Sequence, residues 1–300
     1  MSSCLMNAFN TGLPNCDIKP GKPSGLLFCT EDVQIPNTAD VLSVFKEKVI
    51  AENPEDRVFP IYGMKQVDNG YTEPTQGTLA GYGYSEKLAD GTIISTFNFP
   101  MQICVAKMLA GTDGFRGRVF ILCDNGILLC ERGSDGNYIG LNVDNVGFQM
   151  NTPFGDGQNV AVVKISVNFG SDLRMAKSIF GIKADFGAND LPGLIDLSLT
   201  QWTPMTFVVT TTCMGSNLFD GYKTELSTAT IWNVTRLDTN TKVTVTSVTP
   251  DAVKSAFKLT LSGTIPANTA LKVSLAPPSQ LDNAGISGYA QADPVIVKAV

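Results

Sequence analysis

The tightest constraint on the fold is a pair of apolar runs, residues 118–123 and 127–132, joined by Asp124-Asn125-Gly126. Asn-Gly tolerates positive φ and fits the tight turn whose twist matches two antiparallel strands, so a hairpin is expected. Residues 160–169 add a second β signature. Ala161, Val163, Ile165, Val167 and Phe169 alternate with Lys164, Ser166 and Asn168, which predicts a half-buried strand. Residues 92–99 and 205–213 read as further strands, the latter with Phe207, Val209 and Thr211 alternating.

Helical periodicity is sparse. Val41, Leu42, Phe45 and Val49 recur at helical spacing, predicting a helix over 39–52 that Asn37 or Thr38 caps and Asn53-Pro54 stops. Met101, Cys104, Val105, Met108 and Leu109 predict a second short helix, with Pro100 as its first residue and Gly111 at its end. A helical turn is expected over 173–180. Asp68-Asn69-Gly70 reads as a turn, and Gly81-Tyr82-Gly83-Tyr84 as an exposed strand or loop.

Texture divides the chain in three. Residues 1–36, rich in Pro, Gly, Asn and Cys, read as an extended N-terminal arm. Residues 37–220 read as a β-rich domain with a flanking helix. A Gly/Ser/Asn/Asp cluster at 214–224 marks a boundary. Beyond it, residues 225–300 carry short Thr-rich runs at 228–234, 242–248, 256–262, 270–275 and 294–298, separated by Asp238-Thr239-Asn240, Pro250-Asp251 and Pro266-Ala267-Asn268. That spacing suggests a small Ig-like β-sandwich. The fold class is mainly β with one or two short helices: a sandwich or barrel domain followed by an Ig-like sandwich.

Composition narrows the chemistry. The 300 residues include no histidine, the usual general acid–base and the commonest metal ligand. Ser-His-Asp and Cys-His systems are excluded in their usual forms. Charged residues make up 17% against about 25% in typical domains, which suits a chain that hides part of its surface in an assembly. The net charge of −6 and the lack of a basic stripe argue against nucleic-acid binding, and suit a surface that nucleic acid passes without sticking.

Cysteines stand at 4, 16, 29, 104, 123, 130 and 213, an odd number with no CxxC pair. They are expected to be reduced core thiols of a protein folded in a cytoplasm, with Cys4, Cys16 and Cys29 leaving a small opening for a metal or a disulfide. The N-terminus has no basic and apolar leader pattern, and no apolar run is long enough to cross a bilayer, so a soluble, unsecreted chain is expected.

Candidate sites dissolve on inspection. Gly21-Lys22-Pro23-Ser24-Gly25 lacks the spacing of a phosphate loop. Asp185 with Asp190, and Asp135 near Asp124, lack the ligand spacing of a calcium loop and read as surface turns. Asn233-Val234-Thr235 matches a glycosylation pattern but reads as strand. Phe97 and Phe99 are expected in the core, and Tyr82 and Tyr84 at an interface. No catalytic, cofactor-binding or metal-ligating residue is nominated.

Several segments carry a family resemblance. Phe59-Pro60-Ile61-Tyr62, Glu73-Pro74-Thr75, Gly81-Tyr82-Gly83, Phe97-Asn98-Phe99-Pro100, the short helix and the 118–132 hairpin together resemble tail-tube-type virion proteins of tailed phages, especially those infecting Bacteroidetes. Gly288-Tyr289 resembles a stretch of the Ig-like appendages of such proteins. The resemblance implies a virion structural protein whose copies form rings, hexameric in the tube case, around a channel for DNA. It implies homo-oligomer and other virion partners, no cofactor and no membrane. A capsid-associated or head–tail connector protein is the alternative within the virion. A glycan-binding adhesin is the alternative of another class.

Overall fold

The computed structural model describes residues 18–38, 40–79, 84–156, 158–184, 186–291 and 293–299. The fold is mainly β. The chain divides into two compact units, one of residues 1–45, 60–101 and 109–191, the other of 46–59, 102–108 and 192–300.

The first unit is built on two sheets and a hairpin. Its strands are β1 Pro23–Cys29, β2 Gln34–Ile35, β3 Val58–Tyr62 (whose first two residues count with the second unit), β4 Gln66–Thr72, β5 Thr75–Leu79, β6 Tyr84–Ala89, β7 Thr92–Pro100, β8 Gly117–Cys123, β9 Ile127–Arg132, β10 Tyr138–Ile139, β11 Leu141–Val143, β12 Asn145–Thr152, β13 Val162–Ser171 and β14 Ile179–Lys183. The larger sheet runs β2-β10-β9-β8-β1-β3, with β11 on β8 and β14 on β9. The smaller runs β12-β13-β7-β4, and β5 pairs only with β6.

The expected hairpin forms β8 and β9, with Leu122 opposite Leu128. Its turn has three residues: Gly126 N–H donates to Cys123 O at 3.1 Å, and Gly126 takes the left-handed φ of +74°. Asn125 instead spends its side-chain oxygen on the Ile127 N–H. The predicted alternation of β13 is also borne out, with Val163, Ile165 and Val167 fully buried.

The first predicted helix is α1, Val41–Val49, and it buries Val41, Phe45 and Val49 as expected. Phe45 packs edge-on against Phe120 at 5.2 Å. The cap, however, is Asp40, which accepts the Ser43 N–H at 3.0 Å. The second helix, α2, spans Ile103–Ala110. Pro100 does not begin it but closes β7, and Ala106 and Leu109 are the residues it buries. A short α3, Asp172–Ser178, leads into β14, so the predicted turn over 173–180 ends in a strand.

Three expectations need correction. The described part of the N-terminal arm is not extended on the surface: β1 sits between β8 and β3, with Leu26, Leu27 and Cys29 at 0% exposure. Its glycine is a packing residue, since a Cβ on Gly25 would stand 2.5 Å from the Tyr62 ring. Residues 1–17 lie outside the described residues.

Asp68-Asn69-Gly70 is not a turn but the middle of β4, registered against Thr96, Ser95 and Ile94. Its polar side chains find cross-strand partners in place of their own backbone: Ser95 Oγ donates to Asn69 Oδ1 at 2.8 Å and Asn98 Nδ2 to Asp68 Oδ2 at 2.7 Å.

The boundary at 214–224 falls inside the second unit, which begins its long C-terminal run at Pro192. This unit pairs β15 Leu197–Thr203, β16 Thr206–Thr211, β20 Ala256–Leu261 and β19 Val245–Asp251 in one sheet. Its other sheet holds β18 Lys242–Val243, β17 Trp232–Arg236, β21 Ala270–Leu275 and β22 Val295–Lys298. The Gly/Ser/Asn cluster only carries the chain from β16 in one sheet, through α4 Phe219–Tyr222, to β17 in the other. A crossover between sheets has the composition of a linker. The short α5, Pro278–Asn283, follows β21.

The two sheets face each other across one core. Phe207, Val209 and Phe257 come from one side, and Trp232, Val234 and Val273 from the other. Trp232 stands 6.0 Å from Phe207 and 6.1 Å from Phe257, and its indole N–H donates to Leu226 O at 2.8 Å. The C-terminal β-sandwich is therefore present, but it is larger than 225–300 and recruits residues 197–211.

Candidate assembly surface

The four-stranded sheet of the first unit has two unlike faces because its register aligns alternating strands. One face carries Val67, Phe97, Ile165 and Phe148 in one row, and the neighbouring rows include Phe99, Val163, Val167 and Val146. That is the core side. The opposite face carries three rows that are polar apart from Ile94 and two glycines: Gln66, Asn98, Lys164 and Gln149; Asp68, Thr96, Ser166 and Gly147; Gly70, Ile94, Asn168 and Asn145. Asp68 and Lys164 are the only formal charges among these twelve residues, and they cancel.

This face is organised by its own hydrogen bonds. Gln66 Nε2 and Asn98 Nδ2 each donate to the Asp68 carboxylate at 2.7 Å. Those two bonds, Asn98's first, hold the Asp68 carboxyl below its usual range, with desolvation opposing them and the Lys164 charge adding to them. Thr96 and Ser166 hydroxyls meet at 2.9 Å. Asn98 is 7% exposed, and its Oδ1 has no protein partner. The result is a polar, nearly uncharged, hydrogen-bonded surface.

The edges of this sheet differ. β4 pairs with β7 alone, and no described strand covers its outer side. On β12 the segment 113–115 covers the first half: Val146 N–H donates to Phe115 O, Gly114 N–H to Val146 O, and Phe148 N–H to Asp113 Oδ1. An exposed strand edge offers unpaired peptide groups to another chain.

The residues weighed and set aside as candidate sites are scattered. Gly21 and Lys22 lie against the hairpin turn, where Lys22 N–H donates to Asp124 Oδ1 at 2.9 Å and Asp124 N–H to Lys22 O at 2.8 Å. Asp135 accepts from the Asn137 N–H and Asp190 from the Gly187 N–H, each closing its own turn. Asp185 lies outside the described residues, as does Tyr82. Among the described residues no three His, Cys, Asp or Glu side chains converge. Asn233 and Thr235 sit in β17, opposite Ser274 and Lys272. Phe97 and Phe99 are core residues at 1% exposure.

The cysteines divide. Cys29, Cys123 and Cys130 are free and buried, as expected for core thiols. Cys104 and Cys213 instead form a disulfide within the second unit, with Cα atoms 5.4 Å apart. Sequence reasoning missed the pair because nothing in a 109-residue separation signals proximity. Cys4 and Cys16 lie outside the described residues.

No family model matches the sequence, and no curated protein matches it.

Proposed function

We propose that this chain is a non-catalytic structural protein that assembles with copies of itself into rings stacked around a channel, as the tail tube of a tailed phage. The observation that carries the reading is the four-stranded antiparallel sheet with one polar, charge-balanced face and an unpaired β4 edge. Setting β4 of one copy beside β12 of the next would continue the antiparallel alternation, and on β12 the stretch beyond the bonds from 113–115 is residues 149–152. Repeated around a ring, the polar rows of Gln66, Asp68, Thr96, Ser166 and their neighbours would line the lumen. Such a wall suits passing DNA: it is wettable, yet offers no basic stripe for phosphates to hold. The net charge of −6 acts in the same direction.

The absence of histidine from the sequence and the turn-closing roles of the acidic residues support the non-catalytic part. The Cys104–Cys213 disulfide speaks against a protein that stays in a reducing cytoplasm; it suits one that ends in a virion, where disulfides persist once the particle is released.

The test combines imaging with lumen labelling. Negative-stain images of the concentrated chain are expected to show rings with a central hole. In the assembled Gln149→Cys variant, a small maleimide should label the introduced thiol while a polymer-linked maleimide too wide for the channel should not. A chain that stays monomeric, or an introduced thiol labelled equally by both reagents, contradicts the reading. Rings that cap a capsid portal and do not stack would mark a connector instead.

A further inference from the structure

The four strands of the polar sheet have two ends that carry different equipment. Register sets Thr72, Thr92 and Ser171 at one end, and Pro100, Val162 and Thr152 at the other. The length of β7, Thr92–Pro100, puts these ends about 27 Å apart.

At the first end the chain leaves β4 into the β5–β6 hairpin and returns into β7. This hairpin forms a sheet of its own, and residues 85–90 are all exposed. A two-stranded hairpin is marginal in water without a surface to lie on. Leu88 is 66% exposed and lies over Gly77, where a Cβ would come within 3.0 Å of it. Tyr71, 56% exposed at the hairpin's root, is fixed by donating its hydroxyl to Asp172 Oδ2 at 3.0 Å.

At the other end the β12–β13 turn presents Phe154 at 84% exposure and Val160 at 79%. Asp156 ties the described part of the turn together. Asp156 Oδ1 accepts the N–H groups of Gln158 and Asn159, and its Oδ2 accepts Asn159 Nδ2. A turn that leaves a Phe and a Val exposed together offers an apolar contact point.

We infer that these two ends are the halves of one contact between successive copies of this chain: the β5–β6 hairpin of one copy, through Leu88, lies on the Phe154–Val160 turn of the next. The patches sit at opposite ends of the same strands, so a translation along the strand axis brings them together. A two-fold axis would make each patch meet itself. The translated contact is heterologous and does not close, so it propagates as a stack. Lys87 is paired with Asp90 at 2.6 Å, while Glu86 on the hairpin and Asp156 in the turn each keep a negative charge, so the contact rests on its apolar residues and not on charge. This inference rests on the tube reading and assigns the contact between rings, where the β4 edge serves within a ring.

The test uses the full-length chain with Leu88→Cys and Phe154→Cys prepared separately, and the unsubstituted chain as background. Oxidation of the mixture is expected to give a disulfide-linked dimer on non-reducing gels at least about tenfold above either variant alone. In negative stain, Phe154→Asp is expected to leave rings intact and shorten or abolish stacks, with an unchanged far-UV circular dichroism spectrum. Stacks of normal length from Phe154→Asp, or equal cross-linking of each variant with itself, would overturn this contact while leaving the rings standing. An unsubstituted chain that forms no rings would overturn the tube reading and this one with it.

Discussion

Cys29 and Cys130 are thiols that the fold keeps from ionising. Burial pushes Cys29 up to about 12, with the Arg118 charge pulling the other way. Burial also pushes Cys130 up to about 12, and neighbouring Glu131 adds to the shift. The ordinary value is 9.0, so above that pH the unfolded chain sheds protons that the folded chain retains. Their contribution to stability is therefore complete below about pH 9 and is lost as pH rises toward about 12. A thiol, unlike a thiolate, is a poor nucleophile. Alkylation at about pH 8, below the ordinary thiol range, followed by peptide mass mapping should leave both residues unmodified in the native protein and modify both after denaturation. Native labelling at the unfolded rate would contradict this. The apolar runs around Cys123 and Cys130 already marked these as core positions. For Cys29 the surrounding Pro and Gly pointed to an arm, because composition does not reveal that Gly25 makes room for Tyr62.

Among the elements, β4 is where local reading and fold diverge most. Asp-Asn-Gly favours a turn in isolation, yet the strand holds because Asn98, Gln66 and Ser95 take up its polar side chains. Asp68 carries a pH signature of this. Its folded pKa is depressed by the bonds from Asn98 and Gln66, so the unfolded chain binds more protons in the acid range and stability rises with pH there. The contribution is present above the ordinary carboxylate range and is lost as pH falls through the folded pKa. In urea melts from about pH 7 down through the carboxylate range to about pH 3, Asp68→Asn should lie below the parent chain at the neutral end, and the two midpoints should converge at the acid end. A gap independent of pH would assign the loss to something other than the carboxylate. By contrast β13, β20 and β21 were legible from alternation and composition alone, since each pairs within a sheet that has one buried face.

At the scale of the molecule, the disulfide is the largest single lever. Closing a loop across a separation of 109 residues restricts the unfolded chain, and such a bond typically contributes about 2–4 kcal/mol. Reduction, or the Cys104→Ser/Cys213→Ser double variant, should lower the urea midpoint accordingly. The sandwich should still form, because its core of Phe207, Trp232, Phe257 and Val273 does not involve the bond. Loss of the β signal on reduction would show instead that the disulfide is a condition of folding. The proposed assembly surface also belongs to this scale. Its rows draw on residues 66, 98, 149 and 164, which no local window contains.

By itself the sequence determined what short-range physics can determine. Period-two alternation selects strands, Asp-Asn-Gly after residue 123 turns a hairpin, and a histidine-free composition withdraws the usual catalytic groups. Only the tertiary structure decided how those strands align. It placed β1 inside a sheet, carried β15 and β16 into the second unit, joined Cys104 to Cys213, and laid twelve mostly uncharged residues on one face. The reason is physical: local preferences fix which face a residue takes on its own strand, while pairing partners are set by burial and hydrogen bonding between segments far apart in the chain.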